Sequence, residues 1–130
     1  MIHGGNIMNI HESAEDYLEA ILKISEKKGS VRSIDIVNEL GFSKPSISIA
    51  MKRLRENGYI EMDGDNLITL TKNGRDIAEK IYNRHKTLTS FLIGIGVDEK
   101  TAERDACKIE HDLSDITFEK ITEFAKKFRS

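Results

Sequence analysis

The sequence predicts a mainly α-helical chain with a small β-hairpin wing, a winged helix-turn-helix followed by a helical assembly region. Three observations carry that prediction. Apolar residues recur at helical spacing along most of the chain, the spacing switches to strict alternation on either side of Asp63-Gly64-Asp65-Asn66, and two short helical patterns joined by Gly41-Phe42-Ser43 stand immediately before the switch.

Taken in order, residues 1–10 have no period and contain two adjacent glycines, so they read as a flexible leader. His11 to Lys28 is rich in helix formers, with Tyr17, Leu18, Ile21, Leu22 and Ile24 on its apolar side and Gly29 as its stop. A second helix starts at Ser33, read as its cap, and runs through Ile34, Ile36, Val37 and Leu40 to Gly41. The third occupies Ser43 to Gly58. Ser43 caps it, and Pro45, the one proline of the chain, sits in the first turn, where a missing N–H does no harm. Ile47, Met51 and Leu54 recur at i, i+4 and i+7 and form its buried stripe. Tyr59-Ile60-Glu61-Met62 and Leu67-Ile68-Thr69-Leu70 alternate as the two strands of a hairpin. Thr71 then caps a long helix through Ile77, Ala78, Ile81, Tyr82, His85, Leu88, Phe91 and Leu92, which breaks near Gly94 and Gly96. At about 1.5 Å per residue it spans on the order of 30 Å, enough to bridge from a winged domain to an assembly region. Asp98 or Thr101 opens a helix to about Leu113, and Ser114-Asp115 caps a last one carrying Ile116, Phe118, Ile121, Phe124, Ala125 and Phe128. The domains expected are residues 11–73, a winged helix-turn-helix, and residues 74–130, a helical metal-binding and dimerisation domain.

Composition sets the class. With 130 residues, 38% of them hydrophobic, the chain can bury a core. It has no apolar run of membrane-spanning length and no signal peptide, so a cytoplasmic address and no membrane partner are expected. Cys107 is the single cysteine, which excludes an internal disulfide and leaves a buried thiol, a reactive thiol or a metal ligand. The net charge of −2 argues against non-specific coating of nucleic acid, yet residues 30–60 carry five basic against three acidic side chains, and residues 71–86 five against two. The acids collect in residues 11–26 and 98–123, as expected of a chain that also receives a cation.

The third helix reads as a DNA recognition helix. Its outer side is small near the start (Ser43, Pro45, Ser46, Ser48), with Lys44 and Ile49 beside them, and basic further on (Lys52, Arg53, Arg55), which suits base edges near the start and phosphates at the cations. An ordinary amphipathic surface helix shares that pattern. The order helix-turn-helix then hairpin is the more specific signal, because it is the winged-helix arrangement, in which the hairpin lies along flanking backbone. Since helix-turn-helix proteins read two half-sites about one DNA turn apart, the large apolar groups of the last helix are expected to form a homodimer contact rather than a private core.

A second constellation carries chemistry. Cys107-Lys108-Ile109-Glu110-His111 places three ligand types at i, i+3 and i+4 of one helix, with Glu103 four residues earlier on the same face. Asp16 and Glu19 stand at i and i+3 on the first helix, and His85 lies near the middle of the long one. Carboxylate, imidazole and thiolate together suit Fe(II), Mn(II), Co(II) or Zn(II) and not calcium or magnesium. The plainer account is a buried cysteine and solvated carboxylate faces.

Several stretches carry a family likeness: Asp16-Tyr17-Leu18-Glu19, Ser43-Lys44-Pro45-Ser46-Ile47-Ser48, Leu70-Thr71-x-x-Gly74, Arg84-His85 and Cys107-x-x-Glu110-His111. From about Ser13 to Phe128 the chain resembles the diphtheria-toxin-repressor family of metal-activated transcription regulators, and in length its short manganese-transport branch. The resemblance implies a main metal site of Asp16, Cys107, Glu110 and His111 and a second position with Glu19 and His85, Glu103 standing where the iron branch has a further ligand. It also implies that metal between the first helix, the bridge and the helix after it sets the two winged domains of a dimer at operator spacing. Asp16 resembles the manganese branch and Cys107 the iron branch. No counterpart of the SH3-like domain of longer members is expected, and the dimer contact is expected to be smaller than in relatives. Ile49 falls where the iron branch has a polar base reader, and an apolar contact with a thymine methyl is the physical substitute.

The expectation is therefore a homodimeric repressor of metal-ion homeostasis, activated by Mn(II) or Fe(II), binding a palindromic double-stranded DNA operator with no organic cofactor. Its competitor is a winged-helix regulator without metal sensing, whose polar cluster is structural. An enzyme is not expected: no motif supplies an oxyanion hole, and a Cys–His pair on one helix lacks an orienting third group.

Overall fold

A computed structural model of the chain describes residues 2–127, with side chains from residue 13 onward. The chain divides into two compact units, Met1–Glu79 and Lys80–Ser130. The first contains α1 (Ile2–Lys28), α2 (Ser33–Leu40), α3 (Lys44–Glu56), β1 (Ile60–Met62), β2 (Ile68–Leu70) and the opening turns of α4 (Lys72–Gly94). The second contains the rest of α4 with α5 (Glu99–Ile109) and α6 (Asp115–Lys127).

In the first unit the helical stripes meet as their spacing dictates: Leu18, Ile21 and Leu22 of α1, Ile36 of α2 and Ile47, Met51 and Leu54 of α3 are all buried. The strands pair antiparallel with Ile60 opposite Leu70, Glu61 opposite Thr69 and Met62 opposite Ile68. Their turn is held by Asp63, whose carboxylate accepts from the Asp65 and Leu67 amides at 2.9 and 3.0 Å, while Asn66 takes the left-handed conformation at φ 63°. The Ile68 amide donates to the Val31 carbonyl at 2.8 Å, so the segment before α2 is tied to the inner strand of the wing.

Three boundaries differ from the sequence expectation. Residues 2–10, expected as a flexible leader, continue α1. Elongating an existing helix gains one hydrogen bond per residue fixed, and no proline interrupts these residues. Ser33 is the first helical residue of α2 and not its cap, because Asp35 reaches back to accept the Arg32 amide at 2.9 Å and sets the cap at Arg32. The same carboxylate pairs with Lys28 at 2.6 Å, and these two partners hold it below the usual carboxylate range. Finally α5 ends at Ile109 and not near Leu113, so Glu110 is its C-cap and His111 lies in the turn beyond. Ser43, Asp98 and Ser114 cap as expected, accepting from the amides of Ser46, Thr101 and Thr117.

The second unit buries Ile81, Leu88, Ala102 and Ala106. No residue of α6 is fully buried, and Ile116 is 71% exposed and Phe124 48%. Phe128 lies outside the described residues. Among the described residues no helix is long and apolar enough to cross a membrane.

Candidate metal centre and nucleic-acid face

Within the second unit three potential ligands converge. Ile81, Arg84, His85 and Leu88 follow one another at i, i+3, i+4 and i+7 along α4, so two polar residues occupy a stripe that spacing reserves for the interior, and both are buried. His85 Nδ1 lies 2.9 Å from Glu110 Oε2 and 3.7 Å from Cys107 Sγ. One ligand atom from each of the three lies within 4.8 Å of the others. Glu110 is 0% exposed, and among the described residues its Oε1 has no hydrogen-bond partner, although His111 Nε2 stands 3.6 Å away. A wholly buried carboxylate oxygen without a donor is costly unless a cation completes it. Nitrogen, sulfur and oxygen donors together fit a divalent transition metal, so the residues pass the chemical test for that group. Hydrogen bonds to Cys107 first and Glu110 second push the His85 imidazole up to about 10, so it holds its proton at neutral pH in the metal-free chain.

The resemblance divides these residues differently, giving His85 to a second position with Glu19 and giving Cys107 and Glu110 to the main one. In the structure His85 bonds to Glu110 itself. Of the three residues expected on one face of one helix, Cys107 lies within α5 and Glu110 caps it with helical backbone angles and an amide bonded to the Ala106 carbonyl at 3.0 Å, while His111 lies in the turn beyond. Glu103, one turn before Cys107, is exposed and outside the converging set. Asp16 and Glu19 belong to the first unit, one turn apart on α1, the first half-buried and the second buried.

Arg84 stands beside His85 in the family likeness, but sequence reasoning gives it no role of its own. Its Nη1 donates to the carbonyls of Glu110 and Leu113 at 3.0 and 2.7 Å, and its Nη2 to Asp115 Oδ1 at 2.5 Å, so it holds the turn that carries Glu110 and His111. The available signal was a cation in the apolar stripe of α4, where an unpaired charge is not tolerated.

On the first unit, Ser43, Lys44, Pro45, Ser46, Ser48, Ile49, Lys52 and Arg53 are all exposed along one side of α3, opposite the buried Ile47, Met51 and Leu54. The face is thus free to meet a groove, with small residues over its first turns and cations after them.

Comparisons with known proteins agree with this division. The N-terminal DNA-binding domain of iron-dependent repressors matches residues 9–66, and the metal-binding and dimerisation domain of iron-dependent repressors matches residues 71–130. The chain is 38% identical over 120 residues to an uncharacterised HTH-type transcriptional regulator of Methanocaldococcus jannaschii, covering 91% of this chain and 96% of that one. It is 34% identical over 116 residues to the transcriptional regulator MntR of Escherichia coli, covering 89% and 75%. Among solved structures, the manganese regulator SloR superposes with a TM-score of 0.78 at 26% identity, over 87% of this chain and 53% of that one. A manganese-dependent transcriptional repressor in complex with manganese gives 0.76 at 29% identity, over 83% and 50%, so the chain spans about half the length of these solved neighbours. With both domains matched in order and relatives aligned over most of their length, the chain belongs to the diphtheria-toxin-repressor family of metal-dependent, DNA-binding transcriptional regulators, in its manganese-transport-regulator branch.

Proposed function

We propose that the chain acts as a cytoplasmic homodimer that represses metal-ion homeostasis genes, binding a palindromic operator when Mn(II) or Fe(II) is present. The observation that carries the reading is the convergence of one ligand atom each from His85, Cys107 and Glu110, together with a second, buried Glu110 oxygen that lacks a donor among the described residues. The family resemblance adds Asp16 and His111 to the ligand set, and Glu19 and Glu103 to a second position. When bound, a divalent cation supplies the positive charge that offsets clustered carboxylates. Ser46, Ser48 and Ile49 read base edges in this scheme, while Lys44, Lys52 and Arg53 hold phosphates. The regulatory requirement is thermodynamic: ligands must favour the cation in the DNA-competent geometry by roughly 1–3 kcal/mol.

The test is fluorescence anisotropy with DNA from upstream of the chain's own gene, using chelator-treated protein and adding Mn(II), Fe(II), Co(II) or Zn(II) singly at fixed salt, since phosphate contacts make affinity salt-dependent. An increase of about tenfold or more with one metal, on the order of 1.4 kcal/mol, is expected. Tight binding indifferent to every metal would overturn the switch and leave the cluster a structural network.

A pH dependence follows from His85. To ligate, the imidazole must release the proton it holds, so metal affinity is expected to rise between pH 6.5 and 8.5, by about tenfold per pH unit for each proton displaced. Stability of the metal-free chain runs the other way. Because the folded value, about 10, lies above the ordinary 6.5, the His85 contribution is full below pH 6.5 and disappears as pH climbs through about 10. Chelator-competition titrations and urea melts at matched pH check the opposed slopes; a flat affinity profile would contradict the assignment of His85 as a ligand.

A further inference from the structure

We infer that the wing of this chain is held off the DNA backbone by its own side chains, with Glu61 and Asp65 setting how weakly the chain holds any duplex. The repulsion rests only on DNA binding by the first unit, and its consequence for switching rests on the metal-dependent reading above. Phosphates are held by cations, hydroxyls and main-chain N–H groups. From Tyr59 to Thr71 the chain has three acids and no lysine, arginine or histidine, whereas α3 carries four cations against one acid. Glu61, Asp63 and Asp65 are all exposed. The hairpin tip nevertheless lies within residues 9–66, which match a DNA-binding domain, and the winged-helix arrangement sends such a hairpin toward flanking phosphates.

The main chain offers little in place of cations. At the tip the amides of Asp65 and Leu67 donate to the Asp63 carboxylate at 2.9 and 3.0 Å. The Asn66 amide donates to the Asp63 carbonyl at 3.0 Å, and the Asp63 amide to the Leu67 carbonyl at 3.1 Å. Four of the five amides from Asp63 to Leu67 are thus donated inside the turn. Asp63 has a structural use, because its carboxylate builds that turn. What Asp65 gives the turn is its amide, and asparagine would serve there as well. Glu61 stands opposite Thr69 on the exposed side of the pair, where threonine suits a strand better and lysine guards an edge equally well.

A carboxylate brought near a phosphate is unfavourable on every sequence, so the wing lowers the affinity for operator and for random duplex by one factor and leaves their ratio unchanged. What it sets is the level of binding. With cations in the wing, each further phosphate contact would strengthen binding by up to about tenfold at about 0.1 M salt, through the counterions it releases. The metal-free chain would then remain on DNA, and a coupling of ordinary size could no longer switch occupancy. The acidic wing keeps the metal-free chain below that level.

The experiment measures anisotropy of two labelled duplexes, one from upstream of the chain's own gene and one unrelated, across a salt series with chelator and with saturating Mn(II). Two double variants of the full chain are compared with the parent, Glu61→Lys with Asp65→Lys and Glu61→Gln with Asp65→Asn, Asp63 being left in place to hold the turn. The charge-reversed variant is expected to bind both duplexes about tenfold more tightly at about 0.1 M salt, by the same factor with and without metal. Its salt dependence is expected to steepen by about 0.9 in log–log slope for each contact formed. The neutral variant is expected to show a smaller gain of the same sign that fades as salt screens the repulsion. That variant decides the matter if the charge-reversed one does not fold. Affinities within about twofold of the parent for both duplexes in the variants that fold overturn the inference, since the wing then stands clear of phosphates for another reason. Weaker binding confined to the upstream duplex also overturns it, since the carboxylates then read bases. A parent chain whose affinity ignores metal overturns the metal-dependent reading, while the charge variants still decide whether the wing is repelled.

Discussion

Glu110→Gln is expected to abolish the response of DNA binding to metal while leaving a folded chain. The substitution preserves size and shape at a wholly buried position, so it opens no cavity. It removes the charge that faces His85 at 2.9 Å and turns one carboxylate oxygen into an amide group that donates instead of accepting. Changes to groups that merely support a ligand typically cost 10–100-fold in metal affinity, so loss of a central carboxylate is expected to cost about 100-fold or more. Co(II) titration reads the first effect and operator anisotropy the second. Retention of a metal-driven rise in DNA affinity within about threefold of the parent chain would remove Glu110 from the centre of the mechanism.

Gly74→Ala is expected to be the most destabilising conservative change in the winged unit. A Cβ built at Gly74 would stand 2.0 Å from the Tyr59 carbonyl oxygen and 2.9 Å from its carbon, and both are main-chain atoms that cannot swing aside. The approach is fixed from several directions. Thr71 donates from its hydroxyl to the Gly58 carbonyl at 2.6 Å and from its amide to Tyr59 at 3.1 Å, while its Oγ1 accepts the Gly74 amide at 3.2 Å. The first turn of α4 is thereby bolted to the entrance of β1, and the added methyl must push them apart. Overpacking of this kind costs about 3 kcal/mol. The control is Gly64→Ala, where the space is open and φ is not left-handed, with an expected change within about 0.5 kcal/mol. Urea unfolding of the two variants gives the comparison; equal midpoints would mean that α4 and β1 separate at little cost.

The fold was legible in sequence wherever a boundary is set by neighbours along the chain. Ser43 with Pro45, Asp63 to Asn66 and the Thr71 cap act through hydrogen bonds spanning two to four residues, and each element began where those residues placed it. The end of α5 was not legible, because the Glu110 and Leu113 carbonyls are taken by Arg84, 26 and 29 residues away, and no local pattern announces a distant guanidinium. The candidate ligands could be read from the sequence as Cys107, Glu110, His111 and His85, because their side chains are of the types that bind transition metals. Their grouping could not be, because it depends on which turn of α4 stands beside the cap of α5, a fact of packing and not of spacing.

Ile49 lies 57% exposed in the middle of the outer face of α3, between serines and cations. In the proposed reading its neighbours Lys44, Lys52 and Arg53 draw any duplex, and their pull weakens as salt competes for the phosphates. Contact between an isoleucine and a thymine methyl releases no counterions and is therefore nearly indifferent to ionic strength. A rise in salt thus lowers the affinity for random DNA and for a site with thymine at the right step by the same factor, and leaves the ratio between them unchanged. In that reading one uncovered aliphatic side chain makes discrimination, unlike binding, independent of ionic strength.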